Sequence, residues 1–289
     1  MMFEQDPGLE STAMPRISAF ADEIGPEPQD QMDALEANGV KFVELRGAWG
    51  LNVMKFSQQQ CADLRRQFSD RGFAVSCIGS PIGKVKIDED YRRHFDDFRR
   101  AVDLADFFGA RFIRIFSYYP PQGADIADYR GEVVSRLAEK LGYIAERDLT
   151  LVLENESNLF GGLPERCVYL HAALPSAQLV AAFDPANFVN MNVKDVYNTC
   201  WLPLRRYVGY FHIKDFRYGQ SDRAVPAGQG DGHIPEILRD AAADGYDGFL
   251  ALEPHLAKAE HSTGQTSPAL FKVAADALKA ICAQVGWEV

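Results

Sequence analysis

Four times in this chain an amphipathic stretch closes on a glycine and gives way at once to a short aromatic or β-branched run: ANG-VKF, DRG-FAV, FFG-ARF and ADG-YDG. Gly39, Gly72, Gly109 and Gly245 each suit the left-handed residue that ends a helix before the next strand. The recurrence at about 35 residues marks one strand-and-helix unit used many times. Eight strand candidates follow the same rhythm: RISAFADEI, KFVELRG, AVSCIGS, RFIRIFSYY, LTLVLENE, LVAAFDPANF, VGYFHIKDF and GFLALEPHL. Between them lie helical patterns such as DYRGEVVSRLAEKLGYIAERD, in which Val133, Leu137, Leu141 and Ile144 share one face and need a sheet to cover. Eight such pairs predict an α/β protein, a single-domain (β/α)8 barrel over residues 16–289. The competitor, an open doubly wound sheet, lacks its phosphate fingerprint: the first strand runs into ADEIGPEP, an acidic loop with no GxGxxG.

Residues 1–15, MMFEQDPGLESTAMP, have neither a basic nor an apolar segment of the signal-peptide kind and are expected to form a flexible tail. No apolar run nears the roughly 18 residues that cross a bilayer, so no membrane partner is expected. A net charge of −11 repels phosphate backbones and argues against nucleic acid. Five cysteines without CxxC pairing read as reduced thiols in a cytoplasm. The oligomeric state is open, with a homo-oligomer possible.

In a barrel, the carboxyl ends of the strands converge on one rim, where sites are built. The fifth strand ends on Glu154, the sixth on Asp184, the seventh on His212 and the eighth on Glu253. Each has an ordinary alternative: Asp184 precedes a proline and suits a turn, His212 suits a hydrogen-bonded core histidine, and the glutamates suit a solvated rim. Together the ordinary accounts weaken, because three clustered carboxylates are costly to bury without a neutralising cation. Three carboxylates and an imidazole suit one divalent ion, Mn²⁺ first, with Mg²⁺, Co²⁺ or Zn²⁺ as alternatives.

The segments LVLENE, FDPANF, FHIKDF and LALEPH, in this order and at these intervals, resemble the xylose isomerase-like barrel superfamily of sugar phosphate isomerases and epimerases, which includes ketose 3-epimerases and inosose dehydratases. The resemblance covers nearly the whole chain after residue 15. It implies one catalytic metal on Glu154, Asp184, His212 and Glu253; in the epimerase branch Glu154 and Glu253 also serve as the acid and base pair. It also selects Glu154 over Glu156, which shares its strand face and remains a candidate substrate contact. Asn187 stands where ketose epimerases usually carry a substrate-touching histidine, which weakens the 3-epimerase assignment and leaves the metal untouched. Arg217 lies where the family places a cation over sugar oxygens. Lys214, two residues after His212, falls on the same strand face as a sugar contact, an extra base or a rim salt bridge.

The expected activity is therefore metal-dependent isomerisation or epimerisation of a sugar or sugar phosphate, by proton abstraction beside a carbonyl through an enediolate. The alternative is an inosose dehydratase-like lyase on the same metal. An abasic-site endonuclease of the superfamily would need further ligands on the early strands, which end instead on Glu23, Glu44, Ser80 and Ser117. The loop PAGQGDGHIPEI suits a phosphate at a helix start, yet Asp231 within it repels an anion, so closure over a neutral sugar is the expected role. Phe20, Trp49 and Tyr118 are candidates for an apolar wall. His255 either orients the site or caps it.

Overall fold

The computed structural model describes residues 14–256 and 266–289, apart from the side chains of residues 221–223. The expectation of a flexible tail falls almost wholly on residues 1–13, outside the described part. Eight parallel strands close into a barrel: β1 (Arg16–Ala19), β2 (Phe42–Leu45), β3 (Ala74–Ile78), β4 (Phe112–Ile115), β5 (Thr150–Glu154), β6 (Leu179–Phe183), β7 (Val208–Ile213) and β8 (Phe249–Leu252). All eight coincide with the segments singled out in the sequence. Each strand pairs with its chain neighbours, and β8 returns to β1 with Arg16 opposite Phe249 and Ala19 opposite Leu252. The β1–β2 contact is the shorter one, with Ser18 opposite Phe42 and Ala19 opposite Val43.

Helices α1 (Pro28–Ala37), α2 (Gln58–Asp70), α3 (Tyr91–Phe108), α4 (Arg130–Ile144) and α5 (Pro164–Ala173) follow β1 to β5. Local chemistry sets their ends. Ser57 and Gln60 form a reciprocal capping box at the start of α2, and Asp90 accepts two amides at the start of α3. Gly39, Gly72, Gly109 and Gly245 all take positive φ, as the recurring pattern requires. On α4, Val133, Leu137 and Ile144 are buried and Leu141 is half-buried. The sixth unit departs from the repeat: after β6 come a short helix, α6 (Pro185–Asn190), and helical turns at Tyr197–Trp201, Leu202–Leu204 and Arg205–Tyr207. Pro185 and Pro203 lie in this stretch. Helices α7 (Ile234–Ala243) and α8 (Pro268–Gln284) complete the ring.

Two apolar layers result. The larger lies between sheet and helices. The smaller fills the barrel with Phe20, Cys77, Val152, Ala182, Tyr210, Phe249 and Ala251. Strand side chains alternate between the two layers. The inward sequence on β5 is therefore Val152 then Glu154; on β6 Val180, Ala182 and then Asp184; on β7 Tyr210, His212 and then Lys214; on β8 Phe249, Ala251 and then Glu253. The same parity places Phe42, Glu44 and Arg46 in line on β2, and Phe112 and Arg114 on β4. The polar ring is thus the last inward layer, resting on an apolar stack.

Candidate metal centre

Glu154, Asp184, His212 and Glu253 are buried together, and one donor atom from each lies within 4.8 Å of the others. Asp184 does both things its sequence context allows. One oxygen, Oδ1, accepts the amide of Asn187 and caps α6, while Oδ2 turns into the cluster. Asn155 fixes the turn by exchanging two 2.8 Å hydrogen bonds with the backbone of Asp184.

His212 has distinct partners at its two ring nitrogens. Nε2 lies 3.2 Å from Glu44 Oε2, and Nδ1 faces Glu154 Oε1 at 3.4 Å without hydrogen-bond geometry. A carboxylate on one nitrogen orients the ring and leaves the other as a donor to a cation. Phe20 meets the imidazole edge-on at 5.1 Å and closes the floor.

The protein's own cations interleave the acids. Lys214 Nζ is 3.0 Å from Glu253 Oε2 and 2.9 Å from Asp184 Oδ2, the latter outside hydrogen-bond alignment. Arg114 reaches Glu154 Oε2 at 3.2 Å and is steadied by the carbonyls of Gly79 and Ser80. Arg46 donates to Glu253 Oε1 and Asp22 Oδ2, each at 2.8 Å, and to Glu23 Oε1 at 3.4 Å. Both guanidiniums also lie over the Phe20 ring. His255 joins from the far side, with Nε2 2.9 Å from Glu23 Oε1.

These contacts set the protonation states. Burial would raise the carboxyl of Glu154, but the charges of His212 and Arg114 outweigh it and hold the group low. For Glu253 burial is likewise overcome, by Lys214 and His255 with Arg46 behind them, and its pKa falls well below the usual range. Asp184 goes the other way: burial, reinforced by Glu154 and Glu253, outweighs Lys214 and raises it. Burial opposes the charge on His212, yet Glu154 and Glu44 raise its pKa.

A metal can be tested against this arrangement. Asp184 Oδ2 and His212 Nδ1 are buried and lack a hydrogen-bond partner, and both belong to the four. Buried polar atoms seldom stay unpaired. A hard and borderline donor set, gathered within 4.8 Å and including two atoms without a hydrogen-bond partner, fits a divalent cation.

The remaining expectations divide. Asn187 is inside the site and donates to Glu154 Oε1 at 3.1 Å and to the Asn155 carbonyl at 2.9 Å. Lys214 is central. Glu156 pairs with Lys84 Nζ at 2.6 Å instead of hydrogen-bonding to any of the four. Arg217, in the ribbon Asp215–Arg217/Gln220–Val225, is exposed, and its Nε donates to the Gln229 carbonyl beyond that ribbon. Of the proposed apolar wall only Phe20 lies at the site; Tyr118 is packed with Lys140 and His94, and Trp49 with Phe56.

The glycine-rich loop binds an anion that is already its own. Asp215 is fully buried, and its carboxylate accepts the amides of Gly228, Gly230 and Gly232 at 2.9, 2.9 and 3.0 Å. A Cβ at Gly230 would fall 2.2 Å from Asp215 Oδ1, so the close approach needs glycine.

Two central residues, Arg46 and Arg114, went unnoticed in the sequence. Their inward parity with Phe42 and Phe112 was the available signal.

The sequence profile of the xylose isomerase-like TIM barrel family matches residues 32–281. No curated protein sequence matches the chain. Among solved structures, it resembles an L-ribulose 3-epimerase at 17% identity, with a TM-score of 0.73 over 94% of this chain and 95% of that one. A xylose isomerase-like TIM barrel protein of Mycobacterium smegmatis in complex with magnesium gives 17% identity and a TM-score of 0.73, covering 94% and 98%. A probable 3-DHS dehydratase of Bacillus anthracis, AsbF, involved in petrobactin synthesis, gives 16% and 0.70, covering 91% and 98%.

Proposed function

Because this chain belongs to the xylose isomerase-like TIM barrel family, we propose that it is a metal-dependent isomerase or epimerase acting on a small carbohydrate by removing a proton beside a carbonyl. The observation that carries this reading is the pair of orphaned donors, Asp184 Oδ2 and His212 Nδ1, at the meeting point of four buried ligand-type side chains. Glu154, Asp184, His212 and Glu253 would hold the ion, Mn²⁺ first, with Mg²⁺, Co²⁺ or Zn²⁺ as substitutes. When bound, such an ion supplies Lewis-acid stabilisation of the negative charge that develops on a substrate oxygen.

The chain's own residues do the rest. Glu154 and Glu253 come from β5 and β8 and flank the centre, and their arginine and lysine partners keep both carboxylates ionised and able to accept a proton. One takes the proton from carbon on one face; return to the opposite face inverts that carbon, and return to its neighbour exchanges ketose for aldose. Asn187 orients Glu154, and Glu44 orients His212. Lys214 and Arg217 complete the proposed substrate contacts, with Glu156 at the edge. Five free, buried cysteines accord with a cytoplasmic setting.

A second reading, a lyase that loses a β-hydroxyl after the same proton abstraction, is favoured by Lys214. Its ammonium lies between Asp184 and Glu253 and can protonate a departing hydroxyl, so that a C–H and a C–O bond break and water leaves. Asn187 in the histidine position points the same way. Incubation of the metal-loaded protein with ketoses and inososes in D₂O decides between them: deuterium beside the carbonyl in an intact polyol identifies the isomerase, and a dehydrated product the lyase. Undiminished turnover in a protein freed of metal would sink both.

A further inference from the structure

Resting on the proposed carbonyl chemistry at this centre, we propose that its substrate is uncharged: a polyol with a carbonyl and without phosphate or carboxylate. Six carboxylates surround the centre, from Asp22, Glu23, Glu44, Glu154, Asp184 and Glu253, against three permanent cations, Arg46, Arg114 and Lys214. A divalent ion held by His212 leaves one negative charge if His255 is neutral and none if it is protonated. Within this buried set, neither state leaves positive charge over to attract an anion.

The cations are also engaged. All three guanidinium nitrogens of Arg46 point at carboxylates. Arg114 is shared between Glu154 and two carbonyls, and Lys214 between Asp184 and Glu253. An anionic substrate would have to break a buried ion pair, which strands a carboxylate at high cost. Beside Glu23 and Arg46 lies a cavity of about 660 Å³, walled also by Asp22, Asn52, Thr266 and Ser267. That volume suits a small molecule. Its amide, hydroxyl and carboxylate groups are partners for hydroxyls.

The other place in the barrel where an anion would be sought is taken as well. The amides of Gly228, Gly230 and Gly232, ahead of α7, are spent on Asp215. Outside this set, the exposed Lys84 is held by Glu156, and the exposed Arg217 donates from Nε to the Gln229 carbonyl.

The test uses the full chain loaded with Mn²⁺, whose paramagnetism speeds the relaxation of any nucleus brought near it. Uptake is first confirmed from water relaxation. Fructose and scyllo-inosose are then compared with fructose 1-phosphate, fructose 6-phosphate, 3-dehydroshikimate and inorganic phosphate, by ¹H, ¹³C and ³¹P relaxation and by calorimetry. The neutral probes are expected to relax faster and to bind about ten-fold or more tightly than their anionic counterparts. Equal or tighter binding of the anions overturns the inference, as does enhancement in neither set. A protein that takes up no Mn²⁺ fails the metal reading instead; the charge preference is then read by calorimetry on the metal-free protein with the same probes and the same criteria.

Discussion

The two halves of the barrel mouth are built from the same kind of strand yet furnish opposite chemistry. Strands β5 to β8 carry, at or just past their carboxyl ends, Glu154, Asp184, His212 and Glu253, the groups suited to hold a cation. Strands β2 and β4 present Arg46 and Arg114, each of which reaches across to one glutamate of the other half, Arg46 to Glu253 and Arg114 to Glu154. Glu44, also on the early half, orients His212. One half therefore supplies donors, and the other fixes their charge and direction. A ligand set alone would be a cluster of mutually repelling acids; opposing cations let it exist in a barrel interior before any ion arrives.

The sharpest break of this comparison falls on the donor half. Glu154→Gln and Glu253→Gln are each expected to lower turnover by at least about 10² to 10⁴-fold while circular dichroism stays unchanged. EDTA is expected to abolish activity and added Mn²⁺ to restore it. Retained turnover in either variant would remove that glutamate from the reaction.

Next come the arginines. Arg46→Met and Arg114→Met strand a buried carboxylate and should each cost about 3 to 5 kcal/mol in urea unfolding. Arg46→Met combined with Glu253→Gln should lose less than the two single changes added together, and Arg46→Met combined with Glu154→Gln should be nearly additive. Equal coupling in both pairs would dissolve the cross-rim pairing.

A smaller effect sharpens the contrast between mouth and wall. Lys140 on α4 is fully buried without a carboxylate partner among the described residues, donates to Tyr118 at 2.6 Å and lies over aromatic rings. Burial, aided by Arg136, lowers its pKa to about 7 from the ordinary 10.5. Between these values the unfolded chain binds the extra proton, so stability rises with pH from about 7 to about 10.5, and the penalty is complete below 7. Unfolding of wild type and Lys140→Met across that window should show the wild type gaining a few kcal/mol relative to the variant. Parallel curves would refute the assignment. Smallest of all, Gly109→Ala, at φ 70° with open space around it, should cost about 1 to 2 kcal/mol by thermal melting, without touching metal affinity.

The sequence displayed its repeat because strand alternation and helix-closing glycines are local signals. The four donors were readable for the same reason: each ends its own strand. Arg46 and Arg114 were hidden because their partners are remote, Glu253 lying 207 residues from Arg46 and Glu154 lying 40 from Arg114. A basic residue at a strand end reads as solvated until its partner is placed. The glycine-rich loop was ambiguous in the same way, since only the fold brings Asp215 under the three amides. In the sixth unit the repeat predicted a full helix, and Pro185 and Pro203 accompany shorter turns instead.

The brief contact between β1 and β2 gives the web around Arg46 a second meaning. That side chain follows β2, and through Asp22, Glu23 and Glu253 it spans the place where the chain's opening strand is inserted against its closing one, while Thr266 and His255 fasten Glu23 from the other flank. The charged groups thus act as a clasp on the cylinder's seam. Heat or denaturant that parts the seam must unmake the chemical centre in the same event, so inactivation and loss of shape should arrive together.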